Sequence, residues 1–274
     1  MNDKYELIQG IQITNEIFKS ILKFKKSFIL HNKIDLFNEY NLFNKQNNNI
    51  YIFCLSEIKR NDNNGILSMW RGYGNNGNGA ALILNPNYLH NALARFNSDF
   101  YFHKIKYCNN KSFERNLISI VEEFCALTRR YEKLIVTNVE FSKLICQILF
   151  KKLTIESLTL KHIGFKEEKE WRLLFFKPNN INNIKLYNCY LNENIELKLK
   201  LNINSYLEIL STDASAISIN DLFCKIILGP TALDDTHSLR SKLTIESLKD
   251  FLNDKGLTKM AKNIVQSSIP YRPR

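Results

Sequence analysis

The charged residues between Glu168 and Arg172 have the spacing in this sequence that best suits catalysis. If a strand begins near Glu168, its period of two places Glu168, Glu170 and Arg172 on one face and Trp171 on the other. Two carboxylates on one face of the strand could hold a ribose hydroxyl and stabilise the positive charge of an oxocarbenium-like transition state. The same pattern is typical of a salt-bridged, solvent-facing side of an edge strand. The spacing alone leaves both interpretations open.

A glycine-rich segment carries one of the two tryptophans. Trp70, Arg71 and Tyr73 lie in the run WRGYG at residues 70–74, and two further glycines follow at positions 77 and 79. Glycines allow close approach of the backbone to a ligand, aromatic rings offer a stacking surface, and arginine binds phosphate through its planar guanidinium. This composition suits a nucleotide, and it equally suits a loop whose tryptophan belongs to the core.

Several elements must position these residues. The apolar run at residues 50–55 predicts a central, doubly covered strand, and Ser56 at its end could orient one of the carboxylates. Helical periodicity over residues 111–158 predicts two helices. Further strands are predicted at 79–84, 170–177, 184–190 and 225–228, and further helices at 4–24 and 238–255. We therefore expect a single α+β domain over residues 1–274, with a helical insertion at about 111–160.

Composition restricts the class of protein. The 274 residues are 45% hydrophobic and carry a net charge of +11, which suits a folded core and an anionic partner such as a dinucleotide or a nucleic acid. The abundance of lysine, asparagine and isoleucine offers a purely compositional explanation of that charge. We find neither an apolar run long enough to cross a bilayer nor a secretory signal, so we expect a cytoplasmic protein without membrane contact. The six cysteines and five histidines are dispersed, and no metal site is predicted.

Six segments, taken in order, resemble the bacterial family known as domain of unknown function 2971. They are FCLSE at 53–57, MWRGYG at 69–74, GAAL at 79–82, FKEEKEWR at 165–172, ILGP at 227–230 and SIPYR at 268–272. Members of that family usually begin with a strand that carries a His-Tyr pair. Residues 2–6, NDKYE, resemble a signature that follows this strand by a few dozen residues. The resemblance therefore implies that the start of the chain is assigned too late to include the first strand, that the protein has lost this strand, or that a partner protein supplies or covers it.

The family pattern is in turn similar to the ADP-ribosyltransferase layout, which implies a central antiparallel or mixed sheet of that type with inserted helices. By this resemblance Glu170 contacts the nicotinamide-ribose hydroxyl and stabilises the oxocarbenium ion, Glu168 activates the acceptor, and Ser56 orients Glu170. The resemblance also implies that Trp70 or Tyr73 stacks on the base and that Arg71 or Arg172 meets the pyrophosphate. A fold-level resemblance does not fix the chemistry.

Three functions are consistent with these patterns. The first is an NAD-consuming enzyme, either an ADP-ribosyltransferase or an NAD hydrolase, acting as an effector in phage defence or in a toxin–antitoxin pair, with NAD as substrate. The second is a basic nucleic-acid-binding module with or without nuclease action, in which aromatic rings stack on bases and lysines contact phosphates. The third is a catalytically inactive partner subunit, which the missing first strand suggests.

Overall fold

A computed structural model of the chain describes residues 50–75, 77–89, 100–176, 185–191, 194–200, 219–230 and 239–271, together with Glu16. Apart from Glu16, the helix predicted at 4–24 lies outside these residues. The chain divides into two compact units. The first unit contains Met1–Ser56 and Tyr101–Lys177, and the second contains Glu57–Phe100 and Pro178–Arg274. Because each unit is assembled from two separate stretches, no single boundary in the sequence divides them, and the single domain over 1–274 stays a prediction.

The described elements follow one another as an α+β arrangement. The strands are β1 (Ile50–Ser56), β2 (Ala80–Leu84), β3 (Phe100–Lys104), β4 (Lys106–Cys108), β5 (Leu160–His162), β6 (Glu170–Phe176), β7 (Lys185–Leu191), β8 (Asn194–Lys200), β9 (Phe223–Leu228) and β10 (Ile264–Gln266). The helices are α1 (Leu67–Gly72), α2 (Asn110–Arg130), α3 (Glu132–Thr137), α4 (Val139–Leu158), α5 (Ile219–Leu222), α6 (Leu239–Asp254) and α7 (Thr258–Lys262). A 3₁₀ helix at Ile163–Glu168 links β5 to β6.

Helices α2 and α4 form the larger apolar core of the first unit. Each is preceded by a capping asparagine whose side chain accepts a backbone N–H of the first turn, Asn109 from Ser112 at 2.9 Å and Asn138 from Phe141 at 3.0 Å. Such caps satisfy donors that have no partner within the helix. The core between the helices consists of side chains that recur at helical spacing, namely Phe113, Leu117, Ile120, Val121, Cys125, Cys146, Leu149, Phe150 and Leu153, with Leu160 from β5.

The sheet of the first unit has the order β1-β6-β3. Strand β6 lies in the middle and pairs antiparallel with β1, with Ser56 opposite Glu170 and Ile50 opposite Phe176. Leu174 and Phe176 pack on Leu158 at the end of α4. Strand β1 has one strand neighbour among the described residues and is only half-buried, with Phe53 57% exposed. The prediction that this strand is doubly covered is therefore wrong, and its central position stays a prediction.

The second unit contains a sheet of order β10-β9-β2 and a two-stranded pair, β7 with β8. Strand β9 pairs antiparallel with β2 and parallel with β10. One face of β9 packs on helices α6 and α7 through Ile226, Leu228, Leu252 and Met260. Helix α6 ends at Asp254, and Gly256, with its positive φ of 72°, follows as the residue that terminates it.

The α+β class is confirmed. A single central sheet was predicted, but the described strands form four small sheets. The predicted helical stretch at 111–158 is confirmed as two long helices with the short α3 between them. None of the described helices is long and apolar enough to cross a membrane.

Glycine at position 229 is required by close packing in the second unit. Its N–H donates to the carbonyl oxygen of Gly79 at 2.8 Å, and a Cβ atom there would overlap the backbone carbonyl of Gly77. We therefore expect Gly229→Ala to lower the free energy of unfolding by about 1–3 kcal/mol. Gly72→Ala is the matched control, because nothing lies within 4 Å of the added Cβ. Thermal melts of both variants test this, and a Gly229→Ala melt equal to that of the control would contradict it.

Candidate functional site

The two candidate carboxylates come from different elements. Strand β6 begins at Glu170, whereas Glu168 is the last residue of the 3₁₀ helix. Between them Lys169 adopts a left-handed conformation, with φ 45° and ψ 48°, which turns the chain sharply before the strand begins. The interpretation that Glu168 lies on the strand, on the same face as Glu170 and Arg172, is therefore wrong.

Both carboxylates nevertheless bind one ammonium group, that of Lys161 on β5. Lys161 Nζ lies 2.8 Å from Glu168 Oε2 and 3.0 Å from Glu170 Oε2. On the other side of Glu170, Arg172 Nε donates to Oε1 at 2.6 Å, and Arg172 Nη2 lies 3.4 Å from Oε2. We call these four residues the charge cluster. Its two positive and two negative charges sum to zero.

The charge cluster lies almost wholly inside the first unit. The side chains of Lys161 and Arg172 are each 1% exposed and that of Glu170 is 2% exposed, while that of Glu168 is 13% exposed. Removing ions from water costs several kcal/mol each unless partners and hydrogen bonds compensate. The structure supplies that compensation within the cluster, and Glu168 is the member with the most solvent access.

Arg172 also donates a hydrogen bond to the C-terminal end of helix α4. Its Nη1 donates to the carbonyl oxygen of Leu158, the last residue of α4, at 2.8 Å. The final carbonyls of a helix have no partner within it and carry a partial negative charge, so a guanidinium there is favourable. Arg172 thus connects the helical core to the carboxylate of Glu170. In this position it is a buried structural cation, and the contact with pyrophosphate that the resemblance implies stays a prediction.

Opposing effects set the ionisation of Glu170. Burial penalises the charged form, but hydrogen bonds and charge attraction from Arg172, with further hydrogen bonds from the Cys54 thiol and Lys161, outweigh it and hold the pKa of Glu170 below its ordinary value. The carboxyl is therefore an anion at neutral pH, and both of its oxygens are occupied. A ribose hydroxyl could reach Glu170 only if the cluster opened.

Tyr107 fixes the backbone at the start of β6. Its hydroxyl oxygen accepts the N–H of Glu170 at 2.7 Å, and the carbonyl of Glu170 accepts the N–H of Ile105 at 2.9 Å. Tyr107 lies opposite Lys161 in the parallel pairing of β4 with β5. Burial, more than any other cause, raises the pKa of Tyr107 above its ordinary value, so the phenol is neutral at physiological pH.

Ser56 is the cross-strand neighbour of Glu170, as the antiparallel register of β1 and β6 shows. Directly opposed residues of an antiparallel pair lie on the same face of the sheet, and Cys54, two residues earlier, shares that face opposite Arg172. From β1, a hydrogen bond of the Cys54 thiol contributes to the lowered pKa of the Glu170 carboxyl. An orienting role for Ser56 stays a prediction.

Of the residues predicted to bind the nucleotide, Trp70, Arg71 and Tyr73 belong to the second unit, whereas Arg172 belongs to the first. Trp70 is 4% exposed, and its indole N–H donates to the carbonyl oxygen of Asn64 at 2.7 Å. Its ring packs so closely that a Cβ at Gly74 would lie 2.7 Å from it. The structure thus favours the core interpretation of this tryptophan over a stacking surface. Arg71 is exposed and Tyr73 is 56% exposed. Of the residues predicted to bind the nucleotide in this loop, these two are therefore accessible to solvent.

The glycine amides of this loop bond within the loop. The N–H groups of Gly74, Gly77 and Gly79 donate to the carbonyls of Met69, Trp70 and Gly74 at 3.1, 3.3 and 2.8 Å. Amides with these partners do not form a cradle for phosphate, and the glycines instead allow close packing. Among the described residues no group of three or more His, Cys, Asp or Glu side chains is placed to bind a metal ion.

Sequence reasoning missed three residues of the site: Lys161, Tyr107 and Cys54. The sequence around the first gives little signal, because Lys161 follows the apolar residue Leu160 but is itself followed by His162, so that no apolar run surrounds it. A lysine is almost never fully buried unless it is paired. Nothing local identifies its partners, which follow seven and nine residues later.

Residues 69–173 match the sequence model of a family described as Protein of unknown function (DUF2971). This match covers less than half of the chain and includes Trp70, Glu168, Glu170 and Arg172 but not Ser56. It supports the resemblance to that family over these residues. Neither a curated protein nor a solved structure matches the chain.

Removing one anion should destabilise the charge cluster. In Glu170→Gln the buried cations of Lys161 and Arg172 lose the carboxylate that they share, so we expect the free energy of unfolding to fall by about 3–5 kcal/mol. Glu167→Gln is the matched control, since Glu167 is an exposed glutamate three residues earlier, in the 3₁₀ helix, and it should change stability by less than about 0.5 kcal/mol. Urea denaturation measures both. Equal midpoints for the two variants would argue against the cluster.

The low pKa of Glu170 predicts an acid-sensitive contribution to stability. Because its pKa is lower in the folded chain than in the unfolded chain, the contribution is complete above the ordinary glutamate pKa of about 4.3 and is lost as the pH falls through the lower, folded value. The stability difference between wild type and Glu170→Gln should therefore be constant near neutral pH and shrink in acid. Urea titrations at a series of pH values measure it, and a difference that persists in strong acid would be the opposite result.

Proposed function

We propose that this protein cleaves the bond between nicotinamide and ribose in NAD, as an ADP-ribosyltransferase or an NAD hydrolase. The observation that supports this proposal is the charge cluster, in which two carboxylates share the ammonium of Lys161 and one of them, Glu168, retains access to solvent. In this reaction the C–N bond breaks and its electron pair leaves with neutral nicotinamide. The ribose carbon becomes cationic, and a water or an acceptor hydroxyl then bonds to it and releases a proton.

A fixed carboxylate favours this step because its negative charge is already in place when the ribose becomes positive. Water would have to reorient to give the same stabilisation, whereas a side chain held by a buried ammonium does not. The +11 net charge of the chain is of the sign that attracts an anionic dinucleotide.

The geometry supports a division of roles that differs from the one the resemblance implies. Glu170 is 2% exposed and bonded at both oxygens, so we assign it to holding Lys161 and Arg172 in place. Glu168 is the carboxylate with access to solvent, and we assign to it the contact with the ribose. The roles of Ser56, Trp70, Arg71, Tyr73 and Arg172, the ADP-ribosyltransferase type of sheet and an effector role in phage defence or a toxin–antitoxin pair stay expectations from the resemblance.

Release of nicotinamide tests this function. Wild-type protein incubated with NAD labelled in the nicotinamide ring should release the label, with or without an added protein or nucleic acid acceptor. Glu168→Gln should lower kcat by about 100-fold or more, because it removes the stabilising charge. Glu167→Gln, which changes an exposed neighbour outside the cluster, should retain the wild-type rate.

Two results would count against the proposal. Wild-type protein that releases no nicotinamide would favour an inactive partner subunit or a nucleic-acid-binding module. Steeply salt-dependent binding to RNA or DNA would then identify the latter. A Glu168→Gln variant as active as Glu167→Gln would remove Glu168 from the reaction.

A further inference from the structure

We infer that Lys161 is the positioning residue of the site, since its ammonium holds the partly exposed carboxylate of Glu168 in the orientation in which that carboxylate meets the substrate. This inference rests on the proposed function, and it adds a residue to which neither the sequence patterns nor the family resemblance assigns a role. It does not require Lys161 to touch the substrate.

The hydrogen-bond partners of the two carboxylates differ. Glu170 accepts from Arg172 and Lys161, whereas the donor to Glu168 within the described part of the chain is Lys161 alone, at 2.8 Å. Without Lys161, Glu170 would keep its hydrogen bond from the guanidinium of Arg172. Glu168 would keep no side-chain donor among the described residues. Lys161 therefore determines the position of Glu168 far more than it determines that of Glu170.

Lys161 itself is held firmly. It lies in β5, which follows α4 directly and pairs with β4, and its side chain is 1% exposed. The ring of Phe165, in the 3₁₀ helix that also carries Glu168, lies 4.8 Å from the ammonium, a distance at which a cation is attracted to an aromatic face. The ammonium thus holds the 3₁₀ helix at two positions, Phe165 and Glu168, three residues apart, which lie on the same side of a 3₁₀ helix.

The ammonium has one effect that opposes catalysis, since its positive charge weakens the field that Glu168 exerts on a developing cation. Glu170 offsets this, because the same ammonium is shared with a second anion at 3.0 Å. What remains is orientation. A carboxylate that is already held in place loses no further entropy when the transition state forms. We therefore expect Lys161 to affect kcat and not KM.

A double-mutant cycle on nicotinamide release tests the inference. Lys161→Met should lower kcat by about 10- to 100-fold with KM changed by less than about threefold, and Lys161→Arg, which keeps the charge, should recover part of the rate. If Lys161 acts through Glu168, then adding Lys161→Met to Glu168→Gln should change kcat by less than about threefold. The double variant also removes one cation and one anion together, so it keeps the charge balance and serves as the folded reference if Lys161→Met alone does not fold. Independent, multiplying effects on kcat in the cycle would overturn the inference.

An ¹⁵N spectrum of the lysine ammonium groups provides a readout that does not depend on activity. The Lys161 signal, assigned through Lys161→Arg, should shift in Glu168→Gln and stay unchanged in Glu167→Gln. An unshifted signal in an active protein would overturn the role of Lys161 and leave the proposed function standing. A shifted signal in a protein that releases no nicotinamide would overturn both, and Lys161 would then be a structural residue.

Discussion

The ammonium of Lys161 is the interaction on which the rest of the first unit depends. It is buried, and a buried cation is tolerated only when anions and hydrogen bonds surround it closely. Glu168 and Glu170 provide those anions at 2.8 and 3.0 Å. This requirement couples three successive elements, since β5 carries the cation, the 3₁₀ helix carries one anion, and β6 begins with the other.

Arg172 extends the same constraint into the scaffold. Its guanidinium joins Glu170 to the carbonyl oxygen of Leu158 at the end of α4, and α4 packs against α2 through Leu149, Phe150 and Leu153. A shift of the helical core would therefore move the cation that neutralises Glu170. The cluster is neutral as a whole, and this balance is what allows four charged side chains to lie together with so little exposure to solvent.

The sequence predicted the elements of this unit better than it predicted their contacts. The apolar runs of β1 and β6 and the periodic helices α2 and α4 were predicted because each is a local pattern with a single period. Glu168 was placed on the wrong element, because the left-handed conformation of Lys169 is unusual for a lysine and leaves no trace in the alternation of residues. The pairing of Lys161 with both glutamates depends on the path of the whole β5–β6 connection, which no local period describes.

The second unit shows a related ambiguity. The WRGYG run was equally compatible with a ligand loop and with a packed loop, because glycine permits close approach of either a ligand or another backbone. The contacts favour packing: Trp70 lies against Gly74, and Gly229 lies against the backbone of Gly77 and Gly79. Composition identified this loop as unusual, but only the contacts could show what the glycines accommodate.

A ¹³C titration of the glutamate side-chain carboxyls tests the charge cluster most directly. The Glu170 resonance, assigned through Glu170→Gln, should keep the shift of an ionised carboxylate until the pH falls clearly below the ordinary glutamate pKa of about 4.3. A Glu170 carboxyl that titrates at or above that value would mean that burial outweighs Lys161 and Arg172, and it would contradict the charge cluster and the functions assigned to it.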